Sequence, residues 1–199
     1  LEIEEIHKIQ HLRLRVRNPL YDAREVFLFE CYTGIRISDI LTLKWKHITD
    51  EKISIRMRKT EKLLTIPIND YVRSVLDRRR CAVENNGGKI TSEKYVFNIL
   101  KVDVDEVSAQ DALNAISSAT AVINKQLKKI AEKTNIDKNL STHCARHSYA
   151  TALLTNNIPL PVIKEMLGHS DIKVTQIYAK VVDSKRNEVV ECLNKVYHG

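Results

Sequence analysis

The four cysteines, Cys31, Cys81, Cys144 and Cys192, stand far apart, and no close pair occurs among them. That spacing excludes a disulfide framework and a paired-cysteine zinc site, and leaves reduced, mostly buried thiols. No apolar run approaches the length needed to cross a bilayer, and no signal-peptide pattern opens the chain. Internal repeats and low-complexity segments are lacking too. What remains is 199 residues, 43% of them hydrophobic, enough for one substantial core or one domain with a small appendage. The expected setting is cytoplasmic, with no membrane partner. A net charge of +7 and an isoelectric point near 9.2 favour a polyanionic partner. Leu1 is not an initiator methionine, so an excised fragment is expected, with an N-terminal domain ahead of it.

Hydrophobic periodicity supplies the elements. Ile3, Ile6, Ile9 and Leu12 have helical spacing, and a basic polar break from Arg13 to Asn18 follows. Pro19 opens a second helix to about Thr33, dense in buried candidates (Val26, Phe27, Leu28, Phe29), and Gly34 ends it. Arg36 to Leu43 reads as a short helix. The period then changes to two: Ile53, Ile55 and Met57 alternate with polar residues, and Leu64, Ile66 and Ile68 repeat the pattern. These runs form an antiparallel hairpin, with a third strand expected at Trp45 to Ile48. Helices are expected from Asp70 to about Val83, Ser108 to Lys133, Thr142 to about Leu154 and Leu160 to Leu167. Another carries Tyr178, and Ser184 to Tyr197 closes the chain. A short strand is expected at Tyr95 to Phe97. The fold class is α+β and mainly α, a helical domain with a small three-stranded antiparallel sheet.

Several residues have chemistry to offer. Thr142-His143-Cys144-Ala145-Arg146-His147 opens a helix, and His143, Arg146 and His147 share a face at i, i+3 and i+4. A guanidinium among imidazoles suits an anionic ligand, although a solvated polar face carries the same pattern. Zinc is disfavoured: Cys144 points off the histidine face, no glutamate separates the histidines, and an arginine sits among them. Arg36 emerges from the elbow Thr33-Gly34-Ile35-Arg36 as a helix begins, where backbone N–H groups also favour anions. Lys59 shares the odd parity of Ile53, Ile55 and Met57, which continues the inward row unless pairing has already ended. Gly168 allows a left-handed helix end, leaving His169 in an elbow nine residues before Tyr178. Tyr149 reads as core, Tyr197 as part of the tail stripe and Tyr71 as remote.

Five motifs in order carry a resemblance: Thr33 to Ile40 (TGIRISDI), the Lys59-Thr60 hairpin ending in Ile66-Pro67-Ile68, HCARH at 143–147, LGHS at 167–170 and TQIYAK at 175–180. Together they resemble the catalytic domain of tyrosine recombinases, the phage-integrase-type enzymes. The resemblance implies the DNA breaking-rejoining fold, with residues 1–183 as catalytic domain and 184–199 as a tail helix. It implies that Arg36 and Arg146 hold the scissile phosphate, with His143 and His169 beside them. Lys59 matches the hairpin lysine, and Tyr178 the nucleophile. Ala145 replaces the commoner leucine, and Asp39 the commoner glutamate.

The chemistry that follows is site-specific recombination, integrating or excising a mobile element through a 3′-phosphotyrosyl intermediate. It requires no cofactor, ATP or metal. The implied partners are a double-stranded recombination site, other protomers in a DNA-bound tetramer joined by the C-terminal helix, and accessory DNA-bending proteins. The setting is a bacterial cytoplasm, with nucleoid association during reaction. Type IB topoisomerase-like relaxation and a non-catalytic DNA-binding regulator are the alternatives. Lys44 to Lys62, with seven basic and three acidic residues, is expected to track the DNA backbone. Tyr178 is expected to be withdrawn or mobile without DNA.

Overall fold

The computed structural model describes residues 1–169. The helix expected to carry Tyr178 and the tail helix from Ser184 to Tyr197 lie outside the described residues. The chain divides into two compact units, Leu1–Tyr149 and Ala150–Gly199.

In the first unit the central element is helix α2, Pro19–Thr33. Asn18 caps it, its side-chain oxygen accepting from the Leu20 N–H at 2.9 Å, and Pro19 supplies a first residue that needs no donor. From Leu20 to Cys31 every residue except Asp22 is buried. A helix buried almost all round must be enclosed by its neighbours, and α2 packs against α1 (Ile3–His11), α3 (Ile37–Leu41), α4 (Asp70–Asn85) and α5 (Ala109–Thr134). Phe29 meets Phe97 edge to face, with ring centroids 5.2 Å apart, tying α2 to the irregular segment beyond α4. The Asn69 side chain caps α4 by accepting from the Val72 N–H. Ser108 caps α5, and Asn135 ends it in the left-handed conformation at φ 51°.

Strands β1 (Lys52–Arg56) and β2 (Leu63–Pro67) pair antiparallel, with Ile53 opposite Ile66 and Ile55 opposite Leu64. Those four side chains face the core, and Lys52, Ser54, Arg56, Leu63, Thr65 and Pro67 face outward or lie partly exposed. The sheet has two strands among the described residues, not the expected three. Trp45–His47 instead forms a single 3-10 turn. The His47 N–H bonds the Lys44 carbonyl and the Ile48 N–H bonds the Trp45 carbonyl, while His47 Nδ1 accepts from the Lys44 N–H at 3.1 Å. Backbone groups satisfied locally cannot run a ladder. Only the isolated bridges Ile48 to Ile53 and Lys44 to Tyr95 remain, and the latter is what stands in place of the expected strand at Tyr95 to Phe97.

Lys44 is itself buried, and its ammonium contacts Asp103 at 3.0 Å and Asp105 at 2.8 Å. These carboxylates hold its pKa above the ordinary lysine value, Asp105 contributing most.

Helix α6, Thr142–Thr155, starts where two side chains satisfy its free N–H groups. Asn124 of α5 accepts from Thr142, and Ser141 accepts from Cys144. In the second unit, α7 spans Leu160–Met166, with Ile163 and Leu167 buried. Among the described residues no helix is long and apolar enough to cross a membrane.

Candidate active site

The site in the first unit is built on the elbow between α2 and α3. Gly34 adopts φ 65°, a conformation that costs a side-chain-bearing residue about 1–2 kcal/mol. Thr33 locks the approach: its hydroxyl donates to the Phe29 carbonyl at 2.7 Å and accepts from the Ile35 N–H at 3.2 Å. The chain then plunges Ile35 into the core and releases Arg36 at the cap position of α3, half-buried. Arg36 Nη1 lies 3.2 Å from Met57 Sδ, just ahead of the hairpin turn.

Arg146 arrives at the same elbow from α6, 112 residues away, its Nη1 donating to the Gly34 carbonyl. It is 8% exposed, a charge taken almost wholly out of water. Asp39 lies beside both arginines. Its Oδ1 accepts the Arg58 N–H at 2.9 Å, which pins the start of the hairpin turn to α3, and its Oδ2 is buried with no hydrogen-bond partner. Burial raises the Asp39 pKa against the opposing pull of the Arg58 N–H, Arg36, Arg146 and the Arg58 side chain. Asp39 therefore braces the elbow, with both guanidiniums close enough to act on its carboxyl.

Beneath Arg146, Glu30 is 2% exposed, with Oε2 lacking a hydrogen-bond partner. Burial pushes its carboxyl well above the usual range, and the nearby Arg146 only partly opposes that shift.

The shared face expected for His143, Arg146 and His147 divides in the structure. Arg146 turns inward, and His143 is exposed. The two histidines meet through their Nε2 atoms at 2.6 Å, with rings nearly perpendicular at 87°. At that distance one nitrogen donates and the other accepts. Burial, His143 and Arg146, in that order, lower the His147 pKa. Among the described residues no group of three or more potential ligands could hold a metal ion.

Lys59 departs from the expected parity. β1 ends at Arg56, and Lys59 sits in the turn, exposed, making no hydrogen bond or ion pair among the described residues. The reason is that the Met57 carbonyl accepts the Glu61 N–H at 2.8 Å and Glu61 takes φ 55°. The chain therefore reverses before Lys59 can extend the inward row.

In the second unit, Gly168 takes φ 60°, the left-handed end expected of it. The His169 N–H bonds the Lys164 carbonyl at 3.0 Å, fixing the histidine's backbone to the last turn of α7. Tyr178 lies outside the described residues. Of the six sequence candidates, the structure brings Arg36 and Arg146 to one elbow, with His143 one turn from Arg146. Tyr149 is buried, its phenol pushed up to about 12 by burial, which fits its reading as core.

Two site residues escaped the sequence reading: Met57 against Arg36, and Glu30 beside Arg146. Glu30 had a visible signal, a lone carboxylate inside the apolar run Val26 to Cys31.

Comparison with known proteins gives the family. Residues 2–185 match the phage integrase family. The tyrosine recombinase XerD of Staphylococcus haemolyticus is 30% identical over 185 residues, 91% of this chain and 57% of that protein. XerD of Halalkalibacterium halodurans is 49% identical over a 65-residue stretch, 33% of this chain and 22% of that protein. The chain thus spans less than three fifths of the length of the first of these relatives. The crystal structure of XerA recombinase aligns with a TM-score of 0.67 at 23% identity, covering 95% of this chain and 62% of that one. The catalytic domain of bacteriophage HP1 integrase aligns at 0.58 and 24%, covering 96% and 92%. Identities this low establish the fold alone. With the family match covering residues 2–185 of the 199, the chain belongs to the phage integrase family, the tyrosine recombinases.

Proposed function

We propose that this chain cuts and rejoins DNA at a specific site, with Tyr178 as nucleophile. The observation that carries the reading is the convergence of Arg36 and Arg146 on one elbow braced by the buried Asp39. Two guanidinium forks stabilise the two non-bridging oxygens of a phosphodiester, and more strongly so as charge builds in the pentacoordinate transition state.

A free tyrosine with its pKa near ~10 is a weak nucleophile at neutral pH. The Tyr178 oxygen attacks phosphorus as its proton passes to a histidine, His143 or His169. The bond to the 5′-oxygen breaks, and that oxygen takes a proton from Lys59. The products are a 3′-phosphotyrosyl link and a 5′-hydroxyl. Rejoining reverses the step, so no ATP is consumed, and the chemistry is complete without a metal. His147 fixes the tautomer of His143 through the Nε2 contact.

Exposure of Lys59 is compatible with this role: the entry to the turn is held at Met57 by Arg36 and at Arg58 by Asp39, while the ammonium reaches out toward DNA. The substrate is a duplex recombination site in the cytoplasm. The protomers assemble on it through the tail at 184–199. Integration or excision of a mobile element is the proposed use.

The test is a suicide duplex run on denaturing gels. Wild-type protein should form a covalent adduct and Tyr178→Phe none; an undiminished adduct from Tyr178→Phe would remove the nucleophile assignment. Lys59→Ala should cleave normal DNA slowly and recover on a 5′-bridging phosphorothiolate, whose leaving group needs no proton. Without that recovery Lys59 is not the acid.

A further inference from the structure

The basic break between α1 and α2 is not used by the reaction above, yet it is built with care. Leu12 and Leu14 are half-buried against the core, and Arg13, Arg15 and Arg17 are exposed. Arg24, buried under the segment, donates to the Leu12 carbonyl, and the Asn18 N–H closes a turn on the Arg15 carbonyl at 2.8 Å. The backbone is therefore strapped down at both ends.

Beneath the strap lies Glu25, fully buried, its two oxygens taken by Arg24 at 2.7 Å and Arg78 at 2.9 Å. Arg13, Arg15, Arg24 and Arg78 line a cleft of about 540 Å³, and Arg17 follows at the turn. Four guanidiniums thus line the cleft, two of them already engaged by Glu25. Among the described residues no carboxylate pairs with Arg13, Arg15 or Arg17. Such a concentration of like charge on an anchored backbone is unfavourable in isolation and is relieved by an external polyanion.

We propose that the strap at 13–17 is a second DNA-backbone contact, holding duplex phosphates other than the scissile one. The proposal rests on the DNA-acting reading for the identity of the polyanion. Phosphodiester fits better than acidic peptide because guanidinium forks match phosphate oxygens two at a time. Anchoring at Leu12, Leu14 and Asn18 removes most of the backbone ordering cost that a loose basic loop would incur on binding.

The experiment measures binding of full-chain Tyr178→Phe protein to a fluorescent duplex of mixed sequence across a salt series. Removing one arginine that neutralises a phosphate should make the slope of log affinity against log salt shallower by about 0.9. Arg13→Ser, Arg15→Ser and Arg17→Ser combined should therefore flatten it by up to about 3 and weaken binding most at low salt. Lys128→Ser, Lys129→Ser and Lys133→Ser combined remove the same charge from α5 and should leave the slope in place. An unchanged slope in the strap variant overturns the proposal, and so does an equal change in the α5 variant. If the triple strap variant does not fold, Arg15→Ser alone must flatten the slope by about 0.9. Adduct formation on the suicide duplex reads the recombinase assignment separately. A missing adduct with a strap-dependent slope sinks that assignment and leaves the strap; an adduct with a strap-independent slope does the reverse.

Discussion

Glu30 is the residue whose environment departs furthest from its chemistry. A carboxyl buried to 2% exposure with one oxygen unpartnered avoids ionisation, and burial holds its pKa well above the ordinary 4.5. In the unfolded chain it ionises near that ordinary value, while in the folded chain it keeps its proton to higher pH. Between the two values the folded state binds more protons, so this group's contribution to stability is full at acid pH and is lost as pH rises through the folded pKa. Glu30→Gln has no such proton to release. The difference in urea midpoint between Glu30→Gln and wild type should grow in the variant's favour from about pH 5 to about pH 8. A constant or shrinking difference would mean that Glu30 is ionised beside Arg146. His147 shifts the other way, its pKa lowered first by burial. Folding therefore disfavours its charged form, and that penalty appears as pH falls below the ordinary histidine range.

At the scale of elements, the elbow between α2 and α3 carries the most function in the fewest residues. Gly34 reverses the chain at φ 65° and offers its carbonyl to Arg146. Gly34→Ala keeps the size small but forces a side chain into the left-handed region. It should lower unfolding stability by about 1–2 kcal/mol, read from the urea midpoint. The carbonyl that receives Arg146 moves with it, so adduct yield from fully folded protein should also fall. The elbow was readable in sequence because Thr33, Gly34 and the helix start after Arg36 act on one another within four residues. The third strand was misjudged for the complementary reason. Lys44 and His47 satisfy one another, and the Ile48 N–H bonds the Trp45 carbonyl, all within a turn; alternation at Trp45 to Ile48 could not show that these hydrogen bonds were already committed. Lys59 failed the parity argument likewise, since the early reversal at Met57 and Glu61 belongs to turn geometry.

For the molecule as a whole, α2 is the element on which the first unit depends, packing against α1, α3, α4 and α5. Phe29, fully buried and edge-on to Phe97, joins that helix to the segment following α4. Phe29→Ala should cost about 3–5 kcal/mol, a large share of the roughly 5–15 kcal/mol that keeps a domain folded. Thermal melts should show a drop of many degrees, and adduct formation should fail at temperatures where wild type is active. A loss under about 1 kcal/mol would mean that the core can collapse around the hole.

The sequence by itself determined where helices begin and end, since caps, prolines and apolar periods act over a few residues: α2, α4, α5, α6 and α7 stand within two residues of their expected limits. It also determined which family the chain belongs to, because five short motifs kept their order. Tertiary structure alone decided that Arg36 and Arg146 share one elbow, that Glu30 lies under Arg146, and that Glu25 is clamped between two arginines. Those outcomes join residues as much as 116 positions apart. Burial and Coulomb interaction depend on what arrives from elsewhere in the chain, and no local pattern encodes that arrival.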